Sequence, residues 1–421
     1  MTRPTLLSAS SPARRLLTAA AATGFLLVAL PSPTAAADDT TQCTFGGEMY
    51  PGRPWSLQRV LMDELWKQST GKGVRVAVID TGVDVKNPQL TRAVDAKAGR
   101  NFLPKKLKTE DGREIERGKE NGTTDTVGHG TKVAGIIAAR EAKGTGFTGL
   151  APGATIIPIQ QNDADGNGTA QTLADAIRYA ADTAKADIIN ISQDTADAVE
   201  PTPRLKEAVD HALGKEIVVI ASAGNDGVDG KAKLTYPASY EGVLAVASSD
   251  RNNERAYFSQ GGPFVGIAAP GVDMISTVPG GGHCADNGTS FSAPYVAGVA
   301  ALIKAKHPGW TQRQIVAQLQ QTAERSVAGH DRHVGWGVVD PVRALTEDDK
   351  PIERPVAGEG VSKGEAPTTA QFQLGETADE RNARLATYVV VGGGVLVAAI
   401  AGTAVAVRDT RRRTRRAAGE G

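Results

Sequence analysis

The amino-acid sequence predicts an α/β domain with a doubly wound, mostly parallel sheet and helices on both faces, followed by one C-terminal transmembrane helix. Three observations support this fold class. Short β-branched apolar runs alternate with helical patterns between residues 54 and 345, the runs are continuously apolar, and a long uncharged stretch stands near the C-terminus. Strands buried on both faces have continuously apolar sequences, and their alternation with helices is typical of a parallel sheet.

The N-terminus, residues 1–37, has the order of a secretory signal. Three arginines accompany the apolar stretch 16–30, and small residues occupy positions 34–37. We expect cleavage near Ala37, because a basic, then apolar, then small-residue order marks a signal peptide. An uncleaved anchor is the alternative, but the apolar run is shorter than the roughly 20 residues that a bilayer requires. Sec and twin-arginine export both remain open.

A short extension, residues 38–53, leads into the α/β domain, residues 54–345. The strand candidates of this domain are 74–79, 155–159, 187–191 and 217–221. The second of them fits less well because Pro158 cannot donate to a sheet ladder. The helix candidates are 131–140, 169–184, 203–213 and 292–306. In such a domain, functional groups are expected at the carboxyl edge of the sheet.

Two charged segments interrupt this pattern. Residues 105–120 mix acidic and basic side chains with almost no apolar ones, which predicts a solvated surface insertion, with a binding loop as the alternative. Residues 346–385 are rich in Glu, Asp, Lys, Pro and Gly, which predicts a flexible linker. A flexible linker of this length holds its ends roughly 30–40 Å apart.

The stretch 386–407 contains no charged residue and predicts a transmembrane helix. At 1.5 Å per residue it spans roughly 33 Å, which is enough to cross the hydrocarbon layer. A buried core helix is the alternative. The tail that follows, 408–421, is rich in arginine, and such an excess stays on the cytoplasmic side. We therefore expect the α/β domain to face outward.

Composition excludes several classes of protein. Lys+Arg and Asp+Glu both number 47, so no global charge indicates a nucleic-acid partner. With 40% hydrophobic residues the chain can bury a full core. The two cysteines, Cys43 and Cys284, are too few for a four-thiolate zinc site, and no HExxH motif is present. We therefore expect no metal or other cofactor, and at most one disulfide.

Three short motifs place polar side chains beside the predicted elements. Asp80 ends the first apolar run in DTGV, His129 stands in GHGT at the start of a helix, and Ser290 opens an apolar helix in GTSFSAP. Singly, these residues fit a turn residue, a backbone partner and a helix N-cap. Together they have one of the chain orders known for a Ser-His-Asp triad. In such a triad the imidazole takes the serine proton, and the carboxylate orients the imidazole.

Asn225 belongs to a fourth motif, ASAGN, which follows the apolar run 217–221. Its side-chain amide and the backbone N–H of Ser290 are suited to bind the oxyanion of a tetrahedral intermediate. A turn residue beside Gly224 is the alternative.

In this order, the four motifs resemble those of the subtilisin-like serine proteases, over about residues 55–345. The resemblance implies the subtilisin-like form of the doubly wound fold and hydrolysis of peptide bonds through an acyl-enzyme. It implies Asp80, His129 and Ser290 as the catalytic triad, with Asn225 in the oxyanion hole.

The order of segments is similar to that of mycosins, which are membrane-anchored subtilases associated with actinobacterial type VII secretion. The shared features are the signal, the extension with Cys43, the insertion after Asp80 and the C-terminal span with its basic tail. The resemblance implies a single-pass plasma-membrane protein with an extracytoplasmic catalytic domain and a cytoplasmic C-terminus. The implied partners are a secreted or cell-envelope protein substrate, the lipid bilayer and a type VII secretion membrane complex.

The resemblance also implies nine substrate-binding residues in three backbone segments: Gly166, Asn167, Gly168, Ser192, Gln193, Asp194, Ser222, Ala223 and Gly224. The first segment corresponds to an edge strand to which an extended substrate adds as a further strand. The second reads Ser-Gln-Asp where many subtilases have Ser-Leu-Gly, and this departure leaves the specificity open.

The same resemblance implies a disulfide between Cys43 and Cys284, although mycosins usually carry more cysteines than these two. It would close a loop of about 240 residues and contribute roughly 2–5 kcal/mol of stability. A calcium site in 162–168 is not favoured. Counting Asp163 as the first ligand places Ala174 where an EF-hand needs a glutamate.

Two functions remain open at this point. The first is an active endopeptidase on the outer face of the membrane. The second is a structural part of a secretion complex, in which docking matters more than proteolysis. The complete set of triad and oxyanion residues favours the enzyme, because docking alone does not require them.

Overall fold

The computed structural model describes residues 44–104, 117–163, 168–193, 202–358 and 378–417, together with positions 108, 112 and 114. The predicted signal, most of the insertion and residues 359–377 of the linker lie outside these residues. So do Cys43, Gly166, Asn167 and Asp194, and the expectations that involve them remain predictions.

Within the described residues, seven strands form one sheet in which every pairing is parallel. The strands are β1 (Arg75–Asp80), β2 (Arg100–Asn101), β3 (Thr155–Gln160), β4 (Ile188–Ile191), β5 (Val218–Ser222), β6 (Leu244–Ser249) and β7 (Val265–Pro270). Their order is β2-β3-β1-β4-β5-β6-β7. The chain leaves β1 toward one edge and later returns to its other side, so β1 lies at the switch point of a doubly wound sheet. The predicted fold class is confirmed.

A separate antiparallel hairpin, β8 (Met274–Thr277) and β9 (His283–Asp286), follows the sheet in the chain. The helices that the structure describes are α1 (Trp55–Gln58), α2 (Met62–Gln68), α3 (His129–Ala138), α4 (Ala170–Asp182), α5 (Pro203–Gly214), α6 (Thr289–Lys306), α7 (Gln312–Gln321), α8 (Pro341–Thr346) and α9 (Ala378–Ala417). The four predicted helices correspond to α3, α4, α5 and α6, and the prediction placed the starts of α3 and α6 two and three residues late.

The helices cover both faces of the sheet, and the sequence of β1 shows why. Val76 and Val78 pack into the apolar core that α3, α6 and α7 share. Ala77 and Ile79 point the other way, into the core formed with α4 and α5. Since neighbouring side chains of a strand alternate between faces, a strand that is apolar throughout must be covered on both.

The strand that contains Pro158 is part of the sheet, contrary to our reservation about it. Pro158 is paired with Val78 along the full length of the β1–β3 ladder. On the other side of β3, Ile156 pairs with Val94 in an isolated bridge and Ile159 pairs with Arg100 at the start of β2. Between these two pairs, β3 has no neighbouring strand on that side among the described residues. The missing N–H of proline falls in this gap, so the proline removes no ladder hydrogen bond.

The chain forms two compact units. One contains the sheet and ends at Ala357, twelve residues beyond the predicted end of the domain, and the other contains Glu324–Ala328 and the chain from Gly358 onward. Asp348 explains the longer domain, because its buried carboxylate contacts Lys306 and His307 at 2.7 and 2.6 Å.

The second unit contains α9. Its segment Glu380–Arg413 has 34 residues and contains an apolar window with a mean hydropathy of 2.2 and no buried part. The segment includes the predicted span 386–407. Within the described residues, it is the one helix with the length and composition to cross a bilayer.

Candidate active site

The carboxyl end of β1 and the start of α3 bring Asp80 and His129 together. Asp80 is fully buried, and its Oδ1 lies 2.7 Å from His129 Nδ1 and accepts a second hydrogen bond, 2.7 Å long, from the backbone N–H of Thr81. A carboxylate only accepts, so Nδ1 carries the proton and Nε2 is left as a base. The His129 side chain is 27% exposed, which leaves its ring accessible from the surface.

Glycine at position 130 permits this contact. A Cβ there would overlap the carbonyl oxygen of Gly82 and would lie 3.1 Å from Asp80 Oδ1. The backbone of α3 can therefore approach the end of β1 only where the helix has no side chain. This is the physical reason for glycine after histidine in GHGT.

The charges around His129 raise its pKa above the ordinary 6.5. Burial acts against this, since it penalises the charged imidazolium. The charge of Asp80, its hydrogen bond and the charge of Asp125 outweigh burial, although Lys132 lowers the pKa. The site therefore stabilises the imidazolium, which is the form that a general base reaches when it takes a proton.

Ser290 is the second residue of α6 and lies at the buried start of this helix. The next side chain, Phe291, has its ring centroid 5.4 Å from that of His129, so the start of α6 adjoins the imidazole. The hydrogen bonds of the described residues include none between the Ser290 hydroxyl and His129. Catalytic hydrogen bonds are often long without substrate and tighten when it binds.

Asn225 is held against the same helix start. Its Oδ1 accepts hydrogen bonds from the backbone N–H and the hydroxyl of Thr289, at 2.9 and 3.0 Å. These two bonds fix the plane of the amide group. The backbone N–H of Ser290 belongs to the first turn of α6, where N–H groups have no acceptor within the helix.

The described substrate-binding candidates line the carboxyl edge of β4 and β5. The hydroxyl of Ser222 donates to the carbonyl oxygen of Gln193 at 3.2 Å, which joins the two predicted walls of the cleft. The N–H of Gly224 donates to the Thr289 hydroxyl at 3.2 Å and ties one wall to α6. In the remaining segment, the N–H of Gly168 donates to Asn162 Oδ1 at 3.0 Å.

Comparison with known proteins identifies the family. The model of the Subtilase family, peptidase S8, matches residues 71–337. The chain belongs to the subtilase family. Subtilisin BL of Lederbergia lenta is 36% identical over 288 residues, which are 68% of this chain and 96% of that protein. Subtilisin E of Bacillus subtilis strain 168 is 36% identical over 289 residues, which are 68% of this chain and 70% of that protein. This subtilase is accordingly a serine endopeptidase.

Solved structures of mycosins are similar to this subtilase as well. MycP1 with its N-terminal propeptide removed has 33% identity and a TM-score of 0.61, and the match covers 72% of this chain and 99% of that one. The MycP3 protease from the type VII (ESX-3) secretion system has 33% identity and a TM-score of 0.59, with 72% of this chain and 91% of that one covered.

The sequence reasoning missed two groups at the site of this subtilase. Asp125 lies four residues before His129 and is buried beside the start of α3. An acid just before a predicted helix was the signal that could have identified it, because anions are favoured at helix N-termini. Lys132, one turn after His129, is also buried and pairs with Asp286 at 2.7 Å.

The extension of this subtilase reaches the start of α3 and the turn between β8 and β9. The N–H of Gly46 donates to the carbonyl oxygen of Pro279 at 2.9 Å, and the ring of Phe45 packs against the backbone of Gly128. Further along, the N–H of His283 donates to the carbonyl oxygen of Glu48 at 3.0 Å.

The hydrogen bonds of Gly46 and Glu48 place the chain after position 43 beside the hairpin of β8 and β9, which contains Cys284. Cys43 itself lies outside the described residues, and its disulfide with Cys284 remains a prediction.

Proposed function

We propose that this subtilase is a membrane-anchored extracytoplasmic serine endopeptidase in which Asp80, His129 and Ser290 form the catalytic triad. The 2.7 Å contact between Asp80 and the His129 imidazole, beside the start of α6, carries the proposal. It provides a base with a defined tautomer. The helix that begins with Thr289 and Ser290 contacts the imidazole ring through Phe291.

In the proposed reaction, Ser290 Oγ attacks the carbonyl carbon of the scissile bond while His129 Nε2 takes its proton. Asp80 stabilises the resulting imidazolium. Collapse of the tetrahedral intermediate breaks the C–N bond, and the leaving amine takes the proton from His129. Water then repeats the sequence on the acyl-enzyme, and the second product leaves as a carboxylic acid.

The oxyanion of both tetrahedral intermediates would be bound by the Ser290 N–H and the Asn225 amide. The two hydrogen bonds from Thr289 hold the Asn225 amide in place before substrate arrives. A donor fixed in advance stabilises developing charge without reorganisation, and loss of one such donor costs about 3–4 kcal/mol of transition-state stabilisation.

The proposed location is the outer face of the plasma membrane, with α9 as a single span and the C-terminus in the cytoplasm. Its apolar length supports the span. The arginines at the end of α9 support the orientation, since basic flanks stay on the cytoplasmic side. The corresponding substrate is a secreted or cell-envelope protein.

An association with type VII secretion is part of the proposal. Its support is the structural similarity to MycP3, a protease from the type VII (ESX-3) secretion system. Docking in such a complex is the second candidate function. It is favoured by the similarity to MycP1, a serine protease that is an essential component of the type VII (ESX-1) secretion system.

The test uses the full chain in detergent with a fluorophosphonate probe and a peptide substrate. Ser290→Ala should abolish both labelling and hydrolysis. Ser292→Ala is the matched control, because Ser292 is buried two residues further along the same helix, and it should retain both. Equal labelling of Ser290→Ala and wild type would exclude Ser290 as the nucleophile.

The same variant separates the two candidate functions in cells. If proteolysis is the main role, Ser290→Ala should reproduce the secretion phenotype of a deletion. Normal secretion with Ser290→Ala, together with loss of secretion on deletion, would favour docking.

A further inference from the structure

One buried carboxylate beside the site has no part in the proposed reaction. Asp125 lies in the loop before α3 and is 6% exposed. An ionised carboxylate is costly to bury unless its oxygens accept several hydrogen bonds. Its partners therefore indicate what the carboxylate does.

Five hydrogen bonds are donated to Asp125. Oδ1 accepts from the backbone N–H groups of Val127 and Gly128, at 3.1 and 2.7 Å, and from the Thr81 hydroxyl at 2.9 Å. Oδ2 accepts from the N–H and the hydroxyl of Thr131, at 2.8 and 2.6 Å. These donors lie on both sides of His129 in the chain.

Thr81 connects this network to the other partner of the imidazole. Its hydroxyl donates to Asp125 and accepts the backbone N–H of Gly130 at 3.0 Å. Thr81 follows Asp80 directly, and Gly130 follows His129 directly. Asp125 therefore holds the backbone next to each member of the Asp80–His129 pair.

We propose that Asp125 is a positioning residue in peptide hydrolysis. It fixes His129 against Asp80, and it places a second negative charge near the imidazolium. This inference depends on the proposed role of His129 as general base. The residue does not touch the reacting atoms, and it acts through the loop and through its charge.

The charged groups that act on His129 come from β1, from the loop before α3 and from α3 itself. Asp80 is on β1, Asp125 is in the loop before α3, and Lys132 is on α3. Lys132 pairs with Asp286 on β9. From α6 the neighbour is Phe291, which carries no charge. The charges of Asp80 and Asp125 each raise the pKa of His129 by more than Lys132 lowers it. Burial raises the pKa of Asp125 itself, against the hydrogen bonds that it accepts.

The test compares three variants of the full chain in detergent. Asp125→Asn removes the charge and disturbs the network. Thr81→Val removes the link to Gly130 but keeps the charge. Asp348→Asn is the matched control, since it neutralises another buried carboxylate, 8% exposed, whose partners are Lys306 and His307.

Two readouts are needed for each variant. The first is the pH profile of kcat and kcat/KM for peptide hydrolysis. The second is the titration of the His129 resonance in protein with 13C-labelled histidine, which is practical because the chain has six histidines. Chemical unfolding curves show whether each variant is folded.

For Asp125→Asn we expect kcat to fall about 10- to 100-fold with a smaller change in KM, as for a catalytic group that is slightly misplaced. The acid limb of the profile and the His129 titration should both move to lower pH. Thr81→Val should lower kcat without moving either. Asp348→Asn should change stability alone.

An acid limb and a histidine titration that stay at their wild-type positions in Asp125→Asn would overturn the proposal. A shift of either to higher pH would also overturn it. The titration requires no turnover. If the wild-type chain did not hydrolyse peptides, the proposed function would fail separately, while the electrostatic role of Asp125 would still be tested.

Discussion

At the scale of single residues, the imidazole of His129 is governed by the charges that surround it. In the proposed reaction its neutral form is the base. The charges of Asp80 and Asp125 stabilise its charged form. The pKa of His129 is therefore above 6.5. The fraction of enzyme with a neutral His129 grows as pH rises through this raised pKa.

We accordingly expect kcat/KM of the wild-type chain to rise with pH along a limb centred above 6.5. The measurement is hydrolysis of a neutral peptide substrate at closely spaced values between about pH 5 and 9. Stability in the same buffers is the control, because unfolding in acid would imitate a catalytic limb. A limb centred below 6.5 would contradict the charge balance described for His129.

Asn225 provides a second prediction at this scale. Asn225→Ala removes one donor to the oxyanion, so kcat should fall about 10²- to 10³-fold while KM changes little. Thr289→Val is the control, since it removes one of the two bonds that hold the amide but leaves the amide in place. It should lower kcat much less than Asn225→Ala. Equal losses in the two variants would show that Asn225 acts mainly as a structural residue.

At the scale of elements, the described part of the extension, residues 44–53, is attached to the domain through His283 on β9. His283 Nδ1 accepts the N–H of Tyr50 at 3.0 Å, and its Nε2 contacts Gln89 Oε1 at 2.6 Å. The first contact requires an unprotonated Nδ1, so the imidazole is neutral. Burial lowers the pKa of His283 to about 4.

This lowered pKa predicts how the attachment responds to acid. A histidine of pKa about 4 in the folded protein and about 6.5 in the unfolded chain stabilises the fold fully above pH 6.5, and this contribution is lost as pH falls toward 4. The free energy of unfolding should therefore fall less across this window in His283→Gln than in wild type. Urea unfolding of both proteins at about pH 7, 5.5 and 4.5 measures the difference. Parallel curves for the two proteins would show that His283 does not cause the loss.

At the scale of the whole molecule, the sequence predicts the layered α/β fold because strands that are apolar throughout must be covered by helices on both faces. The four motifs at strand and helix ends also indicate which residues meet. Parallel strands end at one edge of the sheet, and the helices that follow them begin at that edge. The contact between Asp80 and His129 follows from that rule.

Other features depend on contacts between distant parts of the chain and could not be predicted from the local sequence. Pro158 fits the sheet only because its neighbouring strand is interrupted there. Asp348 belongs to the domain only because Lys306 and His307 lie opposite it. Asp125 is identifiable as a helix-start acid, but its link to Asp80 passes through Thr81 and requires coordinates.

The central claim is that Asp80, His129 and Ser290 form one catalytic unit, and a peptidyl chloromethyl ketone tests it most directly. A catalytic serine attacks the carbonyl of such a reagent. The histidine that acts as the base of that serine then displaces the chloride and is alkylated at a ring nitrogen. We expect mass-spectrometric mapping of the full chain to find one inhibitor molecule on the His129 imidazole, because the alkyl bond to His129 persists on denaturation while the hemiketal with Ser290 reverts. In Ser290→Ala, alkylation of His129 should be far slower. An adduct on other residues in the wild-type chain, or alkylation of His129 at an equal rate in Ser290→Ala, would contradict the claim.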